Sequence, residues 1–130
     1  MNKTVYLLLR LAIATSMFGH GLVRLPKLVA FSKWMVGSFT KSILPDALVA
    51  PFSYILPFAE FTIGLLLLIG LFTKQAAVAG ALVMIVLIFG STTIENWDMI
   101  PVQLIHVAFF AVLIQFVQYN SYALDGVRRK

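Results

Sequence analysis

The sequence predicts an all-α integral membrane protein: a four-helix bundle with an additional amphipathic interfacial helix between helices one and two. Three observations support this fold class. The chain is 61% hydrophobic and only 12% charged, whereas soluble domains have about 45–50% apolar and about 25% charged residues. Its mean hydropathy is +0.96. Four apolar segments approach the roughly 20 residues that a spanning helix needs.

The predicted spans cover residues 4–23, 49–72, 75–94 and 100–118 of a single membrane domain, residues 1–130. Only Thr73-Lys74-Gln75 separate the second and third spans, and residues 95–99 separate the third and fourth. Loops this short favour antiparallel neighbouring helices. The first span resembles a signal peptide, but Arg10 interrupts it and no small-residue cleavage site follows. We therefore expect it to remain as a helix of the mature protein.

Residues 27–44 form the long connection between the first two spans, and their pattern is amphipathic. One helical face carries Leu28, Phe31, Met35 and Phe39, and the opposite face carries Lys33, Gly37, Thr40 and Lys41. This pattern is typical of a helix that lies in the plane of the membrane interface. Trp34 and Trp97 would then mark one membrane surface. The alternative is a loosely ordered loop.

The net charge of +5 comes from basic residues spread over the ends and loops, which indicates contact with lipid headgroups and no nucleic-acid partner. The absence of cysteine excludes disulfides and cysteine-ligated metal clusters. Four spans place both termini on one side, with Lys3, Lys74 and residues 128–130. This slight basic excess favours a multi-pass protein of the bacterial cytoplasmic membrane with both termini in the cytoplasm.

Charged side chains interrupt the apolar spans. Glu60 lies near the middle of the second span and Arg10 about two turns into the first. A charge at the bilayer centre costs at least about 2.5–3.5 kcal/mol on insertion scales, so each group needs a partner. At about 1.5 Å per residue their axial separation is roughly 6 Å, which an arginine side chain can span. We predict an Arg10–Glu60 pair, either as a structural staple or as a site that holds a headgroup or passes a proton.

Three further polar residues belong to the predicted outer half of the membrane. His20 and Gln103 have similar predicted depths, and His106 follows Gln103 by nearly one turn. Histidine changes charge near neutral pH and can relay protons or bind metals, but two histidines alone do not predict a metal site. The alternative for each of the three is an interhelical hydrogen bond.

Two apolar features suggest a pocket near these groups. Pro57 precedes Glu60 by about one turn and removes a backbone donor, which can kink a helix and open space beside the carboxylate. Phe110 belongs to a set of phenylalanines that would line a pocket for a quinone ring or an isoprenoid. Prolines also occur in membrane helices without any site, and phenylalanines commonly face lipid.

Short motifs run in order along the chain. They are RLAI at residues 10–13, FGHG at 18–21, KL at 27–28, ILP at 43–45, Glu60 with GLLLLIGLFTK at 64–74, and YALD at 122–125. In these motifs and in their order, the chain resembles the DoxX family of small four-helix membrane proteins, including DoxD-like members. Ala123 stands where that family usually has serine. The resemblance implies a four-helix membrane bundle and matches Arg10, His20 and Glu60 as polar positions.

The resemblance also implies a range of functions. Some relatives are subunits of a thiosulfate:quinone oxidoreductase, and others belong to membrane oxidoreductase complexes or assist the assembly of membrane proteins. We therefore expect a subunit of a quinone-linked oxidoreductase. Its reacting groups would be Glu60, Arg10 and His106, and its ligand-binding groups would be His20, Gln103, Pro57 and Phe110.

The expected ligand is a quinone, and the chain has no flavin, haem or iron–sulfur motif. The expected partners are the lipid bilayer, a membrane or peripheral subunit that handles the electrons and, as an alternative, a second copy of the chain. A non-catalytic accessory or assembly subunit, docking through residues 27–44, is the main alternative function. A small-solute transporter would need oligomerisation, because four helices with few polar residues form a poor aqueous path.

Overall fold

The computed structural model describes residues 1–128, with six α-helices and three short 3₁₀ turns. The helices are α1 (Lys3–Arg24), α2 (Leu28–Ser38), α3 (Asp46–Ile69), α4 (Thr73–Thr93), α5 (Ile100–Gln115) and α6 (Leu124–Arg128). The turns cover Leu25–Lys27, Trp97–Met99 and Val117–Tyr119. Arg129 and Lys130, which the charge argument assigns to the terminal side, lie outside the described residues.

Four helical stretches of this described part are long and apolar enough to cross a membrane. They are Lys3–Ser38, Asp46–Ile69, Thr73–Thr93 and Trp97–Gln115. The predicted all-α class with four spanning helices is therefore confirmed. The second span begins and ends earlier than predicted. Pro45 in extended conformation leads directly into α3, and Gly70 ends it with φ 71°, a left-handed conformation that glycine adopts without steric cost.

The central contact of the bundle is the antiparallel pair α1 and α3. Gly21 lies against the backbone of Phe61, and Gly64 lies against the backbone of Phe18, so a Cβ at either glycine would collide with main-chain atoms. Small residues allow membrane helices to approach this closely. The rings of Phe18 and Phe61 pack between the helices with centroids 4.9 Å apart. These crossings determine the register of α1 on α3.

Helix α2 packs against the first half of α3. The hydroxyl of Ser53 donates to Ser32 Oγ over 2.6 Å, and both side chains are buried. Met35 and Val49 share one apolar cluster. Ser32 contacts Ser53, and Met35, later in α2, packs with Val49, which is earlier in α3. Helix α2 therefore also runs antiparallel to α3. The helix is shorter than the predicted 27–44, and its orientation relative to the membrane plane stays a prediction.

Helices α4 and α5 complete the bundle. The ring of Phe110 on α5 occupies the space beside Gly80 on α4, where a Cβ would collide with it. Phe110 is fully buried and belongs to the main apolar core, together with Tyr6, Met17, Leu67 and Leu113. The core lies between both halves of the bundle, and a cavity lies nearer the α2 end.

Candidate functional site

A cavity of about 330 Å³ lies between α1, α2 and α3 on one side and α4 and α5 on the other. It is at the end of the bundle opposite the chain termini. Most of its wall is apolar, with Phe31, Met35, Phe52, Leu56, Met84 and Leu87 among the lining side chains. Its polar groups include Arg24, Glu60, His20, Gln103 and His106. An apolar cavity with a few polar groups is the usual form of a small-molecule site.

The strongest polar contact at this cavity is an ion pair between α1 and α3. Arg24 Nη1 donates to Glu60 Oε1 over 2.7 Å. The Glu60 side chain is 3% exposed and that of Arg24 is 29% exposed. The guanidinium also lies 4.5 Å from the ring centroid of Phe31, a cation–π contact. Arg24 is the last residue of α1, where the helix dipole favours a positive charge.

The predicted Arg10–Glu60 pair is wrong. Arg10 Nη1 donates to Asn120 Oδ1 over 2.7 Å, and its Nη2 donates to the carbonyl of Tyr122 over 2.9 Å. These contacts are at the terminal end of the bundle. The register of α1 on α3 is the physical reason, because it places Arg24 at the level of Glu60 and Arg10 beside the α3–α4 turn.

Sequence reasoning missed Arg24 because it ends the first apolar run, where a basic residue is expected at the membrane surface. The pair of small residues Gly21 and Gly64 was the available signal. A close crossing at these two positions in an antiparallel pair brings Glu60 towards the end of α1.

The two histidines face each other across α1 and α5, with ring centroids 6.3 Å apart. His20 Nδ1 lies 2.6 Å from the carbonyl of Ser16, and His106 Nδ1 lies 2.8 Å from the carbonyl of Val102. A carbonyl can only accept, so this geometry assigns the ring proton to Nδ1 in both. Ser16 Oγ lies 2.8 Å from His106 Nε2 and donates to it when the ring is neutral. His106 thus makes an interhelical hydrogen bond.

The other predicted ligand residues have structural contacts. Gln103 is buried and exchanges hydrogen bonds with Ser91 on α4, at 3.1 and 3.2 Å, although it also lines the cavity. Pro57 is fully buried in α3, and neither it nor Phe110 belongs to the cavity wall. The structure therefore brings together Glu60, His20, His106 and Gln103 from the predicted set, and separates them from Arg10, Pro57 and Phe110.

Arg10 belongs to a second polar cluster, which we name the tail clamp: Arg10, Thr73, Asn120 and Asp125. Asn120 accepts from Arg10 and donates to Thr73 Oγ1 over 2.9 Å and to Asp125 Oδ2 over 3.4 Å. The Asp125 carboxylate accepts from the backbone N–H groups of Phe72 and Thr73 at 2.7 and 2.9 Å. The tail clamp holds the chain after α5 against the α3–α4 turn and the start of α1.

A protein metal site needs several donor side chains close together. Among the residues that the structure describes, no group of three or more histidine, aspartate or glutamate side chains could hold a metal ion. The cavity instead offers apolar surface for a ring or chain, together with carboxylate, imidazole and guanidinium groups that can hydrogen-bond a polar headgroup.

The fold, with its four long apolar helices, defines a four-helix integral membrane protein. The family profile that matches is DoxX, over residues 5–93. The chain belongs to the DoxX family, and the predicted resemblance is confirmed. The matched residues run through α4, so Gln103, His106 and the tail after α5 lie outside the match. No curated protein sequence and no solved structure matches the chain significantly.

Proposed function

We propose that this protein is a membrane subunit of a quinone-linked oxidoreductase complex and that the cavity binds the quinone headgroup. The observation that carries this proposal is a buried carboxylate, Glu60, on the wall of a mostly apolar cavity of about 330 Å³. Aromatic and aliphatic walls suit the faces of a quinone ring, and a small number of polar groups can orient its oxygen atoms.

Each polar residue has a distinct role in this proposal. Glu60 exchanges a proton with the bound ligand, and Arg24 holds the carboxylate in position. Arg24 uses Nη1 for this pair, so its other N–H groups can donate to a ligand oxygen. His20 forms a further hydrogen bond to the ligand. His106 acts through Ser16 and packs beside His20.

Interconversion of quinone and quinol moves two electrons and two protons. The chain contains no cysteine and no flavin or haem motif, so the proposed complex includes a partner subunit that exchanges the electrons. We place the complex in the bacterial cytoplasmic membrane with both termini in the cytoplasm. The terminal side carries Lys3, Lys74 and the three basic residues 128–130, against four basic residues on the opposite side, Arg24, Lys27, Lys33 and Lys41.

A second candidate function is a non-catalytic accessory or assembly subunit. The observation that favours it is that Arg10 and Gln103, two of the polar groups inside the spans, are engaged in contacts within the fold. In that case the ion pair between Arg24 and Glu60 would also serve only to join α1 and α3. The two functions differ in whether the cavity takes a ligand.

Trp34 offers a direct readout because it lines the cavity and Trp97 is the only other tryptophan. In a Trp97→Phe background, a short-chain quinone such as decylubiquinone should quench Trp34 fluorescence saturably. Leu87→Phe narrows the cavity and should weaken binding about tenfold or more, as loss of a well-fitted apolar contact does. Leu82→Phe on the same helix adds the same ring to an exposed position and should leave binding unchanged.

Equal, non-saturable quenching in all these variants would indicate partition into the micelle and would favour the accessory function. Glu60→Gln then tests the chemistry in the purified complex. Loss of quinone reduction with quinone binding retained supports proton exchange at Glu60, and unchanged quinone reduction removes that role.

A further inference from the structure

We infer that the cavity selects a headgroup that carries hydroxyl groups over one that carries only carbonyl oxygens. For a quinone ligand this means that the reduced form, the hydroquinone, binds more tightly than the quinone. The inference rests on the proposed function for the identity of the ligand. Its basis is the set of hydrogen-bonding positions that the fold leaves open at the cavity.

The first open position is on Glu60. Oε1 accepts from Arg24, whereas Oε2 accepts no hydrogen bond from any residue within 1–126. The side chain is only 3% exposed, and it lines the cavity. A carboxylate oxygen with little access to water and no donor, on a mostly apolar cavity wall, is costly. A ligand that donates to Oε2 removes this cost.

The second open position is on His20. Its Nδ1–H donates to the carbonyl of Ser16, which leaves Nε2 as an acceptor in the neutral ring. Within the described part of the chain Nε2 has no hydrogen-bond partner, and the ring lines the same cavity as Glu60. His20, Arg24 and Glu60 all line this cavity, so the three groups form one polar patch. His106 Nε2, by contrast, is already paired with Ser16.

The patch therefore presents two open acceptors beside the remaining N–H donors of Arg24. A carbonyl oxygen can only accept, so it would engage Arg24 and leave Glu60 Oε2 and His20 Nε2 without donors. A hydroxyl group accepts and donates, so it can bond to Arg24 and to one of the acceptors at the same time. A site with a buried acceptor such as Glu60 Oε2 rejects an analogue that lacks the matching donor.

The test compares three probes of nearly the same shape on the purified full-length protein in detergent without oxygen. They are a decyl-substituted benzoquinone, its hydroquinone and the dimethyl ether of that hydroquinone. Calorimetry should show that the hydroquinone binds about tenfold or more tightly than either other probe, the effect of one hydrogen bond to a charged acceptor. A tenfold preference raises the midpoint potential of the bound two-electron couple by about 30 mV.

His20→Phe removes one open acceptor and leaves the ion pair intact, so it should reduce the preference at least about threefold, as expected for one neutral hydrogen bond. Glu60→Gln should reduce it further. Leu82→Phe, at an exposed position outside the cavity wall, should leave the ratio unchanged. His20→Phe keeps the test decisive if Glu60→Gln does not fold.

Two results overturn the inference and leave the proposed function in place. One is a quinone that binds at least as tightly as the hydroquinone, and the other is a dimethyl ether that binds as tightly as the hydroquinone, provided that Leu87→Phe still weakens binding. Absence of saturable binding for all three probes overturns both the inference and the proposed function.

Discussion

Arg24 and Glu60 meet at 2.7 Å on the wall of the cavity, one at the end of α1 and the other well inside α3. Their surroundings are unequal, since the carboxylate is 3% exposed and the guanidinium side chain is 29% exposed. The pair joins the two helices that cross most closely. It also places a charged acceptor where a ligand in the cavity would meet it.

This asymmetry predicts unequal costs for removing the two partners. Arg24→Met leaves a carboxylate buried without its cation and should lower the free energy of unfolding by about 3 kcal/mol. Glu60→Met leaves an arginine that can still reach water or headgroups, so it should cost only about 1 kcal/mol. Thermal unfolding in detergent, followed by tryptophan fluorescence, measures both. Lys33→Met, on the exposed face of α2, should have no effect, and equal costs for the two variants of the pair would contradict the prediction.

The tail clamp predicts that Asp125 stabilises the start of α4. Asp125→Ala removes the acceptor of two backbone N–H groups, on Phe72 and Thr73, and should cost about 1–2 kcal/mol, as the loss of a helix cap does. Hydrogen exchange at these two amides should become faster. Asp98→Ala changes an exposed acidic residue outside the tail clamp and should leave that exchange unaltered.

Arg10 is predicted to stabilise the fold without contributing to ligand binding. Arg10→Met removes the hydrogen bonds to Asn120 and Tyr122, so it should lower the midpoint temperature of unfolding and speed proteolysis of the tail. The affinity for a short-chain quinone should stay within about twofold of the unaltered protein, below the effect of one lost hydrogen bond. A large loss of affinity in a folded Arg10→Met protein would indicate that Arg10 contributes to ligand binding.

The crossing of α1 and α3 can be tested with glycines two positions apart. A Cβ at Gly21 would meet the backbone of Phe61, whereas a Cβ at Gly19 would have no atom within 4 Å. Gly21→Ala should destabilise the protein by about 1–3 kcal/mol through overpacking. Gly19→Ala should be neutral or stabilising by up to about 1 kcal/mol, because alanine restricts the unfolded chain. Similar unfolding temperatures for the two variants would argue against this crossing.

The position of α2 can be tested by cross-linking, since the chain contains no cysteine of its own. Ser32 Oγ and Ser53 Oγ lie 2.6 Å apart, so Ser32→Cys together with Ser53→Cys should form a disulfide under mild oxidation, visible as a shift on a non-reducing gel. Lys33→Cys with Ser53→Cys places one thiol on the exposed face and should not cross-link. Failure of the first pair to cross-link would indicate that α2 does not dock along α3.

The elements that sequence reasoning predicted correctly are those with a local signal. The four spans follow from the length of each apolar run, and the apolar face of residues 28–39 follows from helical spacing. Phe31, Met35 and Phe39 on that face line the cavity, although the pattern alone suggested a membrane surface. An apolar helix face predicts that the face will be covered. It does not tell whether lipid or protein covers it, because both present an apolar surface.

The sequence by itself determined the class of this protein, its family and the presence of buried charges that require partners, because composition and run length do not depend on how helices pack. Only the tertiary structure decided which charges meet. The close approach at Gly21 and Gly64 sets the register of α1 on α3, so Arg24 reaches Glu60 and Arg10 joins the tail clamp. Contacts between groups far apart in the chain depend on this register, since a shift of a few residues along a helix exchanges one arginine for another.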